Sequence, residues 1–272
     1  MKLINSIEHL KELIAYIPNL RKGYITNFFL NEEKHKVWIE TNQFFYMQYE
    51  DCILLLFDHK EDGFANLFYY SVSLETLKLC LKQFIQNNKT LVTFIDIVGR
   101  EVMCTPVVDI IKSIGGKEET RFIRMSKTGK PTEITVHNEN GLQYATTSDL
   151  IEINMLLHNY FDKQLEQLPL QKELEQMVEN KSVIRCIKDD KVAGILIFDR
   201  TPSTLHLRYW LTLPDFRNRG IGSVLLRRFL LEGKETNRQI LWVMKSNENA
   251  IMRYEHYGFK SENMFDYIMR LN

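Results

Sequence analysis

The chain has no net charge. Over its 272 residues, 35 lysines and arginines balance 35 aspartates and glutamates. Without a field of either sign, nothing in the composition draws it to nucleic acid or to an acidic membrane surface. No apolar run reaches the length of a bilayer. The opening stretch, MKLINSIEHLKELIAYIPNL, carries Glu8, Lys11 and Glu12 where a secretory signal would have its apolar core. Cys52, Cys80, Cys104 and Cys186 lie far apart and form no Cys-x-x-Cys pair. They read as buried thiols in a reducing compartment, not as disulfides or zinc ligands. No segment is low in complexity. These absences give a cytoplasmic chain with no metal, no membrane and no nucleic-acid partner as the expectation.

A hydrophobic fraction of 44% over this length supplies core enough for two domains. After an N-terminal amphipathic helix, Lys36–Thr41, Gln43–Tyr49 and Cys52–His59 read as strands rich in β-branched and aromatic residues. Leu67–Val72 is a strand, Leu74–Gln86 a helix and Thr90–Val98 a strand. A helix with Pro106 in its first turn follows, then Gly115-Gly116 and a strand over Thr120–Met125. The same order returns as Leu205–Leu213, Ser223–Leu231, Ile240–Lys245, Glu248–His256, Gly258-Phe259 and Met264–Met269. We read an internal repeat of one α/β fold, each copy a twisted, mainly antiparallel sheet flanked by helices. The polar stretch Ser126–Pro131 is the expected linker, giving domains 1–127 and 132–272. The second opens with a strand at Thr132–Val136 or Gln143–Ala145. Asp149 is expected to cap its first helix, with Glu152 at capping-box spacing. Its second helix follows Pro169 over Leu170–Val178, and a hairpin turns at Asp189-Asp190.

The most informative stretch is TLHLRYWLTLPDFRNRGIGS, Thr204–Ser223. A strand alternates through Leu205, Leu207, Tyr209 and Leu211, and Pro214 ends its ladder. The loop Arg217-Asn218-Arg219-Gly220-Ile221-Gly222 then leads into a helix marked by Val224, Leu225, Phe229 and Leu230. Strand, basic glycine loop and helix N-terminus together make an anion site. The first-turn amides lack intrahelical acceptors, and the helix dipole is positive there. A nucleotide-binding module is the weaker use of this loop, because Gly-x-x-x-x-Gly-Lys is missing.

Further on come Asn247-Glu248-Asn249-Ala250, Tyr254 and Gly258-Phe259. The two stretches together resemble the Gcn5-related N-acetyltransferase (GNAT) family. Its acetyl-CoA loop, Arg/Gln-x-x-Gly-x-Gly/Ala, is matched by Arg217, Gly220 and Gly222. Its later Asn-x-x-Ala, Tyr and Gly-Phe signature is matched by Asn247, Ala250, Tyr254 and Gly258-Phe259. The first half has no such loop, so the layout resembles a tandem GNAT protein with a degenerate N-terminal copy.

The resemblance implies an acyltransferase that moves an acetyl group from acetyl-CoA to an amine, on a small molecule or peptide, by direct attack. The main chain of Trp210, Leu211 and Thr212 would pair with the pantetheine. Asn218, Arg219, Gly220, Ile221, Gly222 and Ser223 would hold the pyrophosphate with Arg217, and Asn247 would fix the cofactor or cap its helix. Tyr254, protonated at pH 7 with a reference pKa of about 10, is the expected acid for the departing thiolate. For the base, some family members carry a glutamate on the strand entering the Asn motif, where this chain has Trp242. Others carry one on the strand before the loop, where this chain has His206, chemically suited to accept a proton near its reference pKa of about 6.5. The reading from another class is a non-catalytic CoA-binding sensor or scaffold, since half of the chain is already degenerate.

Overall fold

The computed structural model describes residues 1–129 and 141–272. The expected strand at Thr132–Val136 and the Lys130-Pro131 end of the expected linker lie outside the described residues. Two compact units emerge: Met1–Phe122 with Asn263–Asn272, and Ile123–Glu262.

The first unit runs β1 (Lys2–Leu3), α1 (Ile7–Asn19), β2 (Ile25–Thr26), α2 (Glu32–Glu40), β3 (Phe44–Gln48), β4 (Cys52–His59), β5 (Phe64–Ser71), α3 (Leu74–Asn87), β6 (Val92–Gly99) and α4 (Glu101–Ser113). A long strand, β7 (Lys117–Thr128), follows. Ser126–Thr128 therefore continue a strand where a linker was expected. The expected strand Lys36–Thr41 is mostly helix α2. Asn31 caps it by accepting from the Lys34 amide at 3.1 Å, and His35, Val37 and Trp38 are buried. The local β-branched residues lose to that cap and to burial on a helical face. Helix α4 also starts earlier than expected. Pro106 lies inside it, and the Thr105 hydroxyl donates to the Glu101 carbonyl at 2.8 Å.

The strands of this unit lie in the order β1-β3-β4-β5-β6, and the chain's last strand, β13 (Lys260–Arg270), adds to β6 through Phe265–Arg270. Tyr267, Met269 and Leu271 enter the core formed by Leu54, Leu67, Leu81 and Ile95. The contiguous domains read from sequence thus give way to a unit completed by the C-terminus. Burial of those three side chains and pairing of an otherwise open edge on β6 are the physical reason.

The parallel pair β5–β6 is short: only Phe64–Asn66 pair with Val92–Phe94. Beyond it the free side of β5 is taken by β2, with Ile25 opposite Ser71 and Thr26 opposite Tyr70. Asn27 fills the gap that remains. Its amide nitrogen donates to the Leu67 and Asp96 carbonyls at 3.3 and 3.0 Å, and its oxygen accepts from the Tyr69 amide at 2.8 Å. The side chain stands in for a stretch of strand, so the splayed edge is satisfied internally.

The second unit repeats the order with β8 (Leu142–Tyr144), α5 (Leu150–Tyr160), α6 (Gln171–Glu179), β9 (Val183–Lys188), β10 (Lys191–Arg200), β11 (Thr204–Thr212), α7 (Ile221–Glu232), β12 (Arg238–Met244) and α8 (Glu248–His256). Its strands lie as β7-β12-β11-β10-β9-β8. Asp149 does enter a capping box, one turn earlier than expected. It accepts from the Thr146 amide at 2.8 Å, at a short 3₁₀ turn over Thr147–Asp149 ahead of α5. The hairpin turns at Asp189 and Asp190, with φ of 54° and 58°. A core of Ile153, Leu157, Leu174, Val178, Ile195 and Ile197 packs α5 and α6 on one face of the sheet. All four cysteines are free and buried. No helix among the described residues is long and apolar enough to cross a membrane.

Candidate active site

In the second unit the parallel pair also ends early. Thr204–Leu207 pair with Arg238–Leu241, yet β11 continues to Thr212 and β12 to Met244. A bulge accompanies the parting. Leu207 stands opposite Phe198 and Tyr209 opposite Ile197, so Arg208 is one residue too many and bends its strand. The bulge also swaps faces. Phe198, in register with Leu207, meets Phe229 of α7, whereas Tyr209 and Leu211 join the core under α5 and α6. The sequence alternation is therefore not one continuous face. Among the described residues, no strand pairs the main chain from Arg208 to Thr212 on the β12 side, the edge an extended amide-bearing ligand would need.

That edge leads into the glycine loop. After a 3₁₀ turn over Pro214–Phe216, Asn218 and Gly220 take positive φ of 60° and 80°, and Gly220 becomes the N-cap of α7. Buried Phe216 and Ile221 anchor the loop, while Arg217–Gly220 and Ser223 are exposed. The first turn of α7 holds no acidic residue. The two glycines do different work. Nothing stands within 4 Å of a Cβ built on Gly220, so its left-handed backbone is what requires glycine. A Cβ on Gly222 would lie 3.1 Å from both Trp210 and Thr212, so this glycine lets helix and strand approach. The Trp210 indole Nε1 beside it is buried without a hydrogen-bond partner among the described residues. A buried donor and helix N-terminal amides that no described residue satisfies are together an observation in favour of an anionic ligand here.

Asn247 caps α8 by accepting from the Ala250 amide at 3.1 Å. Tyr254 on that helix is buried. Its ring centroid lies 5.5 Å from that of Trp210 and 5.9 Å from that of Phe259. Among the described residues its hydroxyl has no hydrogen-bond partner. Burial, and secondarily the charge of Glu166, raise it above the ordinary tyrosine range, so it holds its proton at any physiological pH.

His206 differs from expectation. In register it stands opposite Asp199, to which Arg208 donates at 2.8 Å. Burial first, then the cations Arg208 and Arg124, push its pKa down to about 3. It is neutral at physiological pH, but so weak a base is mismatched to an ammonium, and it supplies no titration near 6.5. Sequence reasoning missed a carboxylate whose charge reaches both Tyr209 and Tyr254. Glu166, in the loop between α5 and α6, is raised by burial, partly offset by the hydrogen bond it accepts from the Asp162 amide. It sits in no motif, so only the folded loop reveals it. Among the described residues no cluster of His, Cys, Asp or Glu could hold a metal ion.

Residues 150–259 match the acetyltransferase (GNAT) family. No curated protein matches the chain. Among solved structures it is similar to a GCN5-related N-acetyltransferase from Sphaerobacter thermophilus, at 13% identity and a TM-score of 0.59, over 81% of this chain and 76% of that one. A GNAT-family acetyltransferase from Colwellia psychrerythraea is similar at 15% identity and a TM-score of 0.57, over 99% and 97%. A tandem GNAT protein from the clavulanic acid biosynthesis pathway is similar at 10% identity and a TM-score of 0.55, over 81% and 78%. Identities this low speak for the fold, and the family match speaks for the domain that carries the glycine loop and Tyr254. Residues 150–259 thus form a domain of the acetyltransferase (GNAT) family, and the chain shares its fold with GNAT proteins.

Proposed function

We propose that the second unit binds acetyl-CoA and passes the acetyl group to an amine by direct attack. One observation carries the reading: the edge of β11 that no described strand pairs leads through the glycine loop to the N-terminus of α7, and Tyr254 packs on Trp210 of that edge. The edge at Trp210, Leu211 and Thr212 suits the pantetheine amides. The amides of Ile221, Gly222 and Ser223, with Arg217 and Arg219, suit the pyrophosphate. Acetyl-CoA supplies the activated acyl group. Tyr254 gives its proton to the departing sulfur, for which a buried, fully protonated hydroxyl is suited. Asn247, already engaged as a cap, serves the helix rather than the reaction.

The first unit is proposed as a degenerate copy that binds no cofactor. Its own splayed strand is occupied by Ile25, Thr26 and the Asn27 side chain, and Ser73 caps α3 where the second unit has a glycine loop. The acceptor amine is unassigned; the reading extends to small molecules or peptides.

Calorimetry with acetyl-CoA tests the cofactor assignment. Gly220→Asp has room for its side chain but sets a negative charge beside the phosphates. The expected loss is tenfold or more in affinity, about 1.4 kcal/mol. Gly220→Asn, neutral and tolerant of positive φ, should lose much less. Equal affinity in a folded Gly220→Asp protein would refute the site.

A further inference from the structure

The loop joining α5 to α6 is held against β11 by its backbone. The Tyr209 hydroxyl donates to the Glu166 and Gln167 carbonyls at 3.1 and 2.8 Å, and the Phe161 ring packs edge-on against Tyr209 at 5.1 Å. Tyr209 directly follows the bulged Arg208, so the loop is pinned to the splayed part of the strand. Inside the loop Asp162 Oδ1 accepts from the Gln164 and Leu165 amides at 2.8 and 3.3 Å. Glu166 Oε1 in turn accepts from the Asp162 amide at 3.3 Å. Among the described residues, the other carboxylate oxygen of Glu166 accepts no hydrogen bond. One oxygen is thus fixed by the turn and the other is available, a preorganised arrangement for proton transfer.

Resting on the acyl-transfer reading above, we propose that Glu166 is the general base of the reaction, taking the proton of the acceptor's ammonium group through its unbonded oxygen. The charged and titratable groups around it agree. Burial raises the carboxyl above its ordinary value, against the opposing hydrogen bond from the Asp162 amide and with a smaller push from the Asp162 charge. On β11, the cation of Arg208 is engaged by Asp199, leaving Glu166 to receive a cationic acceptor. The charge of Glu166 raises both Tyr209 on β11 and Tyr254 on α8. The same carboxylate that takes a proton from the amine therefore helps Tyr254 keep the one it must give.

The protons balance. The ammonium loses one to Glu166, and the free amine forms its C–N bond to the acyl carbon as the C–S bond breaks. Tyr254 protonates the sulfur and recovers a proton from the nitrogen of the new amide. Glu166 then releases its proton to water.

Glu166→Gln keeps an oxygen to accept from the Asp162 amide, so the turn is preserved while the base is removed. With acetyl-CoA and a panel of primary amines, kcat/KM should fall roughly a hundredfold or more, the scale of general-base catalysis. The acidic limb of the wild-type pH profile should give way to a rate that rises in proportion to hydroxide up to the pKa of the amine. Acetyl-CoA affinity by calorimetry should stay unchanged, and Glu166→Asp should restore part of the rate. A Glu166→Gln enzyme with wild-type kcat/KM and the same acidic limb overturns the assignment alone, as does a parallel loss of acetyl-CoA affinity. A wild-type protein that transfers acetyl to none of the amines overturns the acyl-transfer reading and this assignment with it.

Discussion

Tyr254→Phe separates chemistry from packing more cleanly than any other change in this fold. The variant keeps the ring, and with it the contacts to Trp210 and Phe259 at centroid distances of 5.5 and 5.9 Å. It deletes a hydroxyl that no described residue bonds, so stability should change by no more than about 0.5 kcal/mol. If that hydroxyl protonates the leaving sulfur, kcat should fall roughly a hundredfold, about 2.7 kcal/mol of barrier. The assay is free-thiol release from acetyl-CoA in the presence of an amine, with thermal unfolding and calorimetric acetyl-CoA binding measured on the same preparation. The sign of the pH dependence follows from the environment. A tyrosine raised above its ordinary value by burial and by Glu166 stays protonated past pH 10, so it contributes no alkaline limb below that. Turnover within twofold of wild type, together with a lowered melting temperature, would make Tyr254 a packing residue. A limb near pH 8 that vanishes in the variant would refute the electrostatic argument.

Ending the chain after Glu262 removes Tyr267, Met269 and Leu271, each 3% exposed or less, from the first unit's core. At about 1.5–3 kcal/mol per side chain, the loss rivals the whole stability of a domain. Hydrogen exchange should show β5 and β6 losing protection, and wild-type protection in β6 would refute the role given to the last strand. His35, 4% exposed, accepts from the Asn31 amide through Nδ1 at 3.0 Å, and burial pushes its pKa down to about 3. Its folded pKa lies below its unfolded value near 6.5, so its contribution is intact above that pH and is lost as pH falls towards 3. Between pH 7.5 and 5 the wild type should lose about 2 kcal/mol more than His35→Gln, read from urea midpoints. Equal losses would show that His35 is not held neutral.

The repeat, the glycine loop and the Tyr254 helix were legible because each rests on local rules. Gly220 is needed where the backbone turns left-handed, Asn247 where α8 needs a cap, and apolar residues recur where α7 meets its strand. Helix α2 was misread because a short run of Val37, Trp38 and Ile39 fits either period. Only the Asn31 cap and the buried helical face decide between them.

Other features depended on contacts between residues distant in sequence. The bulge at Arg208 changes which face each side chain of β11 serves, and no alternation pattern announces it. The demotion of His206 comes from burial and from Arg208 and Arg124, whose positions around it are tertiary facts. The pairing of Phe265–Arg270 with β6 and the bridging of β5 and β6 by Asn27 join residues far apart along the chain. Local sequence determined most of the helices, the turns and the left-handed glycine loop before α7. Burial and strand pairing, which depend on what the fold brings together, decided which unit leaves part of its central strand unpaired among the described residues and how deeply Tyr254 and His206 are buried.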